Sequence, residues 1–166
     1  MSNNFNADEI FEIAEQIERN GAKFYRRAAE VFKEKNADAS KLLVDLAKME
    51  EDHERIFARM RRELSGDEGV IDAEEEVVSY LHAIADSKIF DLKLELTSFW
   101  TGKETIDDII KKAIGVEKDS IIFYTGMRDV VPEAWGREKL NRIIGEEMRH
   151  IGILLNIKER FAEKGK

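Results

Sequence analysis

The sequence predicts an all-α protein, a four-helix bundle made of two helical hairpins joined by a long crossover connection. Three observations carry this. Four segments repeat their apolar residues in alternating steps of three and four, the spacing of a helix face packed inside a bundle. One Pro and ten Gly in 166 residues, with 37% charged side chains, suit long helices better than sheets. The two halves of the chain also resemble each other, as detailed below. The length is that of about one domain, expected to span residues 1–166 with a substantial core.

Helix 1 is expected over about 7–35, after Asn6, with Glu9 three residues later completing a box-like cap. Its inward stripe is Ala7, Phe11, Ala14, Glu18, Gly21, Tyr25, Ala28 and Phe32. A short turn over 36–39 leads into helix 2, about 39–64, which turns Leu43, Leu46, Glu50, His53, Phe57, Met60 and Leu64 inward and stops at Ser65-Gly66. Helix 3, about 105–131, is introduced by Thr105 with Asp108 three residues on. It ends before Pro132, because the residue preceding a proline resists helical backbone. Ile106, Ile110, Ala113, Glu117, Ser120, Tyr124, Met127 and Val131 form its stripe. Trp135-Gly136 falls in the next turn. Helix 4 covers about 137–162, with Leu140, Ile143, Glu147, His150, Leu154, Ile157 and Phe161 inward.

The connector, residues 66–103, is too long for a tight turn. Ala73 to Ala85 reads as one short amphipathic helix through Val77, Val78, Leu81 and Ile84. Phe90, Leu92, Leu94 and Leu96 alternate with Asp91, Lys93 and Glu95, which suits an extended stretch or a second short helix. A link of this length can travel along the bundle and let helix 3 run parallel to helix 2.

Six residues sit where the stripes should be apolar: Glu18, Glu50, His53, Glu117, Glu147 and His150. Carboxylates buried together without partners cost several kcal/mol per ion even after relaxation, so positive charge is expected between them. Two divalent metal ions would supply it. The internal repeat supports one shared centre. Shifted by 99 residues, Ala14, Glu18, Phe24, Tyr25 and Val31 fall on Ala113, Glu117, Phe123, Tyr124 and Val130; shifted by 97, Leu43, Glu50 and His53 fall on Leu140, Glu147 and His150. Each hairpin thus delivers one Glu and one Glu-x-x-His.

Residues three apart on a helix share a face, so Glu50 with His53, and Glu147 with His150, can reach one centre. Glu50 and Glu147 are expected to bridge two metals, Glu18 and Glu117 to be terminal carboxylates, and each His to be an outer nitrogen ligand. One imidazole per metal among carboxylates suits iron first, with manganese or zinc as substitutes. A single Glu-x-x-His is weak, since 23 of the 166 residues are Glu. The alternative, solvated helix-face charges with two ordinary core histidines, needs all six to fall by accident on both the inward register and the repeat. His82, in the connector with Ser79 three positions before it, reads as a surface or packing residue.

Tyr25 and Tyr124 lie seven residues past Glu18 and Glu117 and stay on the inward stripe. A buried phenol needs an acceptor, either a metal-bound carboxylate of a neighbouring helix or a backbone carbonyl. Gly21 and Ser120 are small residues within one turn of the same glutamates, leaving room for a small oxidant or allowing close helix packing.

Composition narrows the partners. A net charge of −8 disfavours nucleic acid and anionic membranes and modestly favours cations. No apolar run approaches the ~20 residues that span a bilayer, and the start MSNNFNADE has neither a basic nor an apolar segment, so a cytoplasmic location is expected. The absence of Cys excludes disulfides, iron–sulfur centres and rubredoxin-type iron sites within this chain.

The stretches ERNGAKFY (18–25), EEDH (50–53), EKDSIIFY (117–124) and EEMRH (146–150) resemble the di-iron carboxylate proteins of the ferritin-like superfamily, and within it the rubrerythrin-like branch. The resemblance covers both hairpins. It implies a ferritin-like di-iron bundle, a homo-oligomer with a dimer favoured, that reacts with hydrogen peroxide or dioxygen. Two departures matter. Full-length rubrerythrins carry a Cys-rich rubredoxin domain that feeds electrons to the di-iron centre; here an external donor, such as a rubredoxin-like protein, must take that part. They also usually carry a further carboxylate where this chain has Ser120. The expected function is therefore a di-iron oxidoreductase. A ferroxidase or iron-handling protein, or a non-catalytic metal-stabilised bundle, is the alternative.

Overall fold

A computed structural model of the chain describes residues 7–64, 74–85 and 99–164. Among the described residues the regular structure is five α-helices and one short 3-10 turn: α1 (Ala7–Phe32), α2 (Ala37–Leu64), α3 (Glu75–Ala85), α4 (Ile106–Val130), the 3-10 turn Glu133–Trp135, and α5 (Arg137–Lys164). The third and fourth helices expected from the sequence are therefore α4 and α5, because the connector contributes α3.

Local chemistry sets the boundaries. Thr105 caps α4 in a complete capping box: its hydroxyl accepts from the Asp108 amide at 3.1 Å, and the Asp108 carboxylate accepts from the Thr105 amide at 2.9 Å. The helix ends at Val131, extended ahead of Pro132. Gly136, with φ of 97°, takes the left-handed conformation that starts the chain into α5. Three expected boundaries are corrected. Helix 1 stops at Phe32 rather than about 35, because the Lys35 and Asn36 amides close back onto the Phe32 carbonyl. Helix 2 begins at Ala37 rather than about 39: the Asn36 side chain accepts from the Ala39 amide at 3.0 Å, so the residue read as the start of a turn is the helix cap. Helix 4 also extends to Lys164, past the expected 162. The expected caps at Asn6 and Ser65-Gly66 and the alternating stretch Phe90–Leu96 lie outside the described residues, as does the side chain of His82, which sits on α3.

The hairpins α1/α2 and α4/α5 face each other. Tyr25 is level with Glu117, and Tyr124 with Glu18, so α1 and α4 run antiparallel. Since α2 reverses α1, α2 and α4 run parallel, the one-crossover arrangement of a ferritin-like bundle. Among the described residues no helix is long and apolar enough to cross a membrane.

The core divides into two apolar clusters at opposite ends. One gathers Phe11 of α1, Phe57 and Met60 of α2, Val78 and Leu81 of α3, Met127 of α4, and Leu140 and Ile143 of α5. The other gathers Phe24 and Phe32 of α1, Leu43 and Leu46 of α2, Ile109 and Ile110 of α4, and Leu154 and Ile157 of α5. The polar residues of the stripes occupy the layer between them. Each cluster removes apolar surface from water at about 25 cal/mol per Å², which is the stabilisation against which a buried polar layer must be set.

The two kinds of interaction should separate on mutation. Leu43→Ala, at a fully buried site in the second cluster, should cost about 2–5 kcal/mol. Asn36→Ala, losing only the cap of α2, should cost about 1 kcal/mol. Urea unfolding followed by circular dichroism measures both, and equal losses would refute the assignment of Asn36 as a cap.

Candidate metal centre

All six polar residues of the stripes meet in the middle layer. Glu18, Glu50, His53, Glu117, Glu147 and His150 are each at most 4% exposed. Their helices bring them in by register alone: each lies on the face that carries the apolar stripe on either side, so burying the stripe drags the charged residues inward. They form two overlapping groups, Glu18, Glu50, His53 and Glu147 in one, and Glu50, Glu117, Glu147 and His150 in the other. Within each group the ligand-type atoms lie within 4.8 Å of one another. Glu50 and Glu147 belong to both.

The arrangement repeats across the hairpins. His53 Nδ1 lies 2.8 Å from Glu147 Oε1 and 3.4 Å from Glu18 Oε2. His150 Nδ1 lies 3.1 Å from Glu50 Oε1 and 3.3 Å from Glu147 Oε2. The two imidazoles stack, with centroids 5.8 Å apart and planes 16° from parallel. The Tyr25 hydroxyl donates to Glu117 Oε1 and the Tyr124 hydroxyl to Glu18 Oε1, so both phenols choose a site carboxylate rather than a backbone carbonyl. Each tyrosine occupies one oxygen of its glutamate. For Glu18, the other oxygen faces the centre.

Charge is poorly matched within the protein itself. Glu18 Oε2, Glu50 Oε1, both oxygens of Glu147, and Nδ1 of both histidines are buried without a partner at hydrogen-bond geometry. Burial, then the neighbouring Glu147, Glu18 and Glu117, push the Glu50 carboxyl well above its ordinary range. Burial and Glu147 push Glu117 the same way. Burial works against charge on Glu147 too, but its contacts with Glu117, His150 and His53 outweigh it and hold this carboxyl low. Burial disfavours the imidazolium of His53, yet Glu147 and Glu18 raise it to about 11; for His150, Glu117 and Glu147 overcome burial and raise it to about 9. Burial and the facing glutamates push both tyrosines up, so they stay hydrogen-bond donors.

These residues could hold a metal centre. A donor set of carboxylate oxygens and imidazole nitrogens, with several members orphaned in a dry layer, is what metal ions satisfy. Two smaller residues complete the picture. Gly21 leaves α1 close to Glu50: a Cβ there would lie 3.4 Å from the Glu50 carboxyl, so this position packs against the carboxylate. The Ser120 hydroxyl donates to the Val116 carbonyl at 3.0 Å and is thereby used within its own helix.

One residue beside the centre was missed in the sequence. Glu146 accepts from His53 Nε2 at 2.7 Å. It lies one residue off the inward stripe, where a charge reads as solvent-facing. The available signal was the repeat, which pairs Glu146 with Met49, a mismatch of polar with apolar directly beside a Glu-x-x-His.

The rubrerythrin family model matches residues 9–158. No curated protein and no solved structure gives a significant match. The match spans both hairpins and every residue of the buried polar layer, and the chain belongs to the rubrerythrin family.

Proposed function

We propose that the six buried residues hold two iron ions, and that the loaded protein reduces hydrogen peroxide, or dioxygen, with electrons from an external redox protein. The observation that carries this reading is the pair of overlapping four-residue groups sharing Glu50 and Glu147, buried and largely unpartnered, in a chain of the rubrerythrin family. Glu50 and Glu147 would bridge, Glu18 and Glu117 would each serve one metal, and His53 and His150 would each supply Nδ1. Four carboxylates balance two dications. Bound there, iron would supply the two electrons that convert peroxide to water, a role that manganese or zinc could replace only in part or not at all.

The remaining work belongs to the chain. Tyr25 and Tyr124 each occupy one oxygen of Glu117 and Glu18, which restrains the terminal carboxylates. The apolar clusters above and below exclude bulk water, which strengthens every charge interaction in the layer. Ser120 brings no further carboxylate. These 166 residues carry no Cys, so on this reading reducing equivalents come from an electron donor outside them.

Metal analysis tests the ligand set. The wild-type chain should bind two irons, and Glu50→Ala or Glu147→Ala should lose at least one. Two irons bound stoichiometrically by the double variant would remove the assignment.

Stability gives an independent check. Iron that binds only the folded state should raise the melting temperature above that of the metal-free protein. In the metal-free protein the raised carboxyls of Glu50 and Glu117 keep their protons to higher pH in the fold than in the unfolded chain, which ionises near their ordinary 4.5. The unfolded state then binds fewer protons, so stability falls as pH rises. His53 and His150 act in the same direction: their contribution is full below 6.5 and is lost as pH passes about 9 and about 11. The depressed Glu147 opposes them, but its contribution is already complete above its ordinary 4.5. The metal-free melting temperature should therefore decline between pH 6.5 and 9.5. A flat or rising profile would contradict the geometry of the cluster.

Reaction class is read by stopped flow. The anaerobically reduced protein should react faster with hydrogen peroxide than with oxygen and return to the same two-iron state on re-reduction. Consumption of Fe(II) well beyond two per chain, with Fe(III) retained in a large assembly, would replace this reading with iron handling. Inertness to both oxidants would leave a metal-stabilised bundle.

A further inference from the structure

Resting on the two-metal reading, we infer that Glu146 is a positioning residue that makes the two metal positions inequivalent, so that the group containing Glu18 and His53 takes the first metal. The inner residues repeat across the two hairpins, but their surroundings do not. His53 donates through Nε2 to Glu146 Oε2 at 2.7 Å. The other oxygen of Glu146, Oε1, lies 3.4 Å from Arg149 and 3.7 Å from Arg142, so the carboxylate is flanked by guanidinium groups on its own helix. His150 is fully buried, and its Nε2 has no partner among the described residues. The position corresponding to Glu146 under the repeat is Met49, which offers no carboxylate oxygen.

A carboxylate on the outer N–H of an imidazole does three things. It fixes the ring's orientation, fixes the tautomer that leaves the inner nitrogen free, and makes that nitrogen a stronger donor. His53 Nδ1, already directed at Glu147 and Glu18, receives all three. His150 Nδ1 receives none from this source. Loss of such an outer partner typically costs ~10–100-fold in metal affinity, and that range sets the expected difference between the two positions. Glu146 also borders an open cavity of about 530 Å³ between α2 and α5, so its replacement alters the rim of the layer rather than the packing of either apolar cluster.

Cobalt(II) titration of the metal-free protein tests this. Glu146→Met, which copies Met49 of the first hairpin, should weaken the first cobalt by ~10–100-fold. Glu146→Gln keeps a neutral acceptor and should fall between Glu146→Met and wild type. Circular dichroism of both variants should match wild type. With one equivalent of cobalt, proton NMR should show one exchangeable, hyperfine-shifted imidazole N–H, absent in His53→Ala, exchange-broadened in Glu146→Met and retained in Glu146→Gln. The proposal is overturned if Glu146→Met holds the first cobalt within about twofold of wild type, or if the one-equivalent signal survives His53→Ala. Undiminished binding of two cobalt ions by Glu50→Ala would overturn the two-metal reading beneath it, a result distinct from either of those.

Discussion

Four carboxylates and two imidazoles lie in a layer from which water is excluded, and the rest of the structure answers to that constraint. An uncompensated buried ion costs several kcal/mol even after relaxation, which is why burial and the neighbouring carboxylates raise Glu50 and Glu117 in this layer. The bundle tolerates them because apolar clusters on both sides supply the burial that holds the helices together, with Phe11, Phe57 and Leu140 at one end and Phe32, Leu43 and Leu154 at the other. The layer is therefore a local weakness held by strong ends. There a cation would convert repulsion into stabilisation, which ties folding to metal loading on the proposed reading.

The crossover topology follows from the same requirement. For one centre to receive a Glu from α1 and a Glu from α4, with Glu-x-x-His from α2 and α5, the two hairpins must meet face to face with their polar layers level. The reciprocal pairs, Tyr25 with Glu117 and Tyr124 with Glu18, record that alignment. Sliding α1 past α4 by one turn would separate both pairs and place charged residues against an apolar cluster. Register is thus enforced from the polar layer as well as from the core.

Most of this was legible in the sequence because it depends on period and spacing. The described residues of the inward stripes are buried except Leu64 and Ile106, although Ile10, Phe24, Phe123 and Ile144 are buried beside them, and the six polar interruptions are the six residues of the buried layer. Thr105 with Asp108 was legible as a cap because both halves of the box are local. Asn36 was read as a turn residue because Asn suits both roles, and only its side-chain bond to the Ala39 amide decides between them. The acceptors of Tyr25 and Tyr124 were undecided for the same reason: spacing says that a phenol faces inward, whereas its partner belongs to another helix. Glu146 was illegible by stripe analysis, since a residue one position off the inward face reaches the site only through the outer nitrogen of His53.

That last contact bears on how, on the proposed two-metal reading, an internally repeated scaffold would hold its metals in different ways. The inner residues are constrained in pairs, because a change in any one leaves a buried charge unmatched. The outer nitrogen of each histidine is constrained far less, and there the two hairpins have diverged, with Glu146 facing His53 and Met49 holding the corresponding position in the other hairpin. On the proposed reading, such inequivalence would give the two metal positions different donor strengths without disturbing the shared carboxylates. The cavity beside Glu146 places this asymmetry at the rim of the layer, on the side lined by Arg55, Arg59, Arg142 and Arg149. Symmetry is kept where charges must balance and relaxed where only the strength of a ligand is at stake.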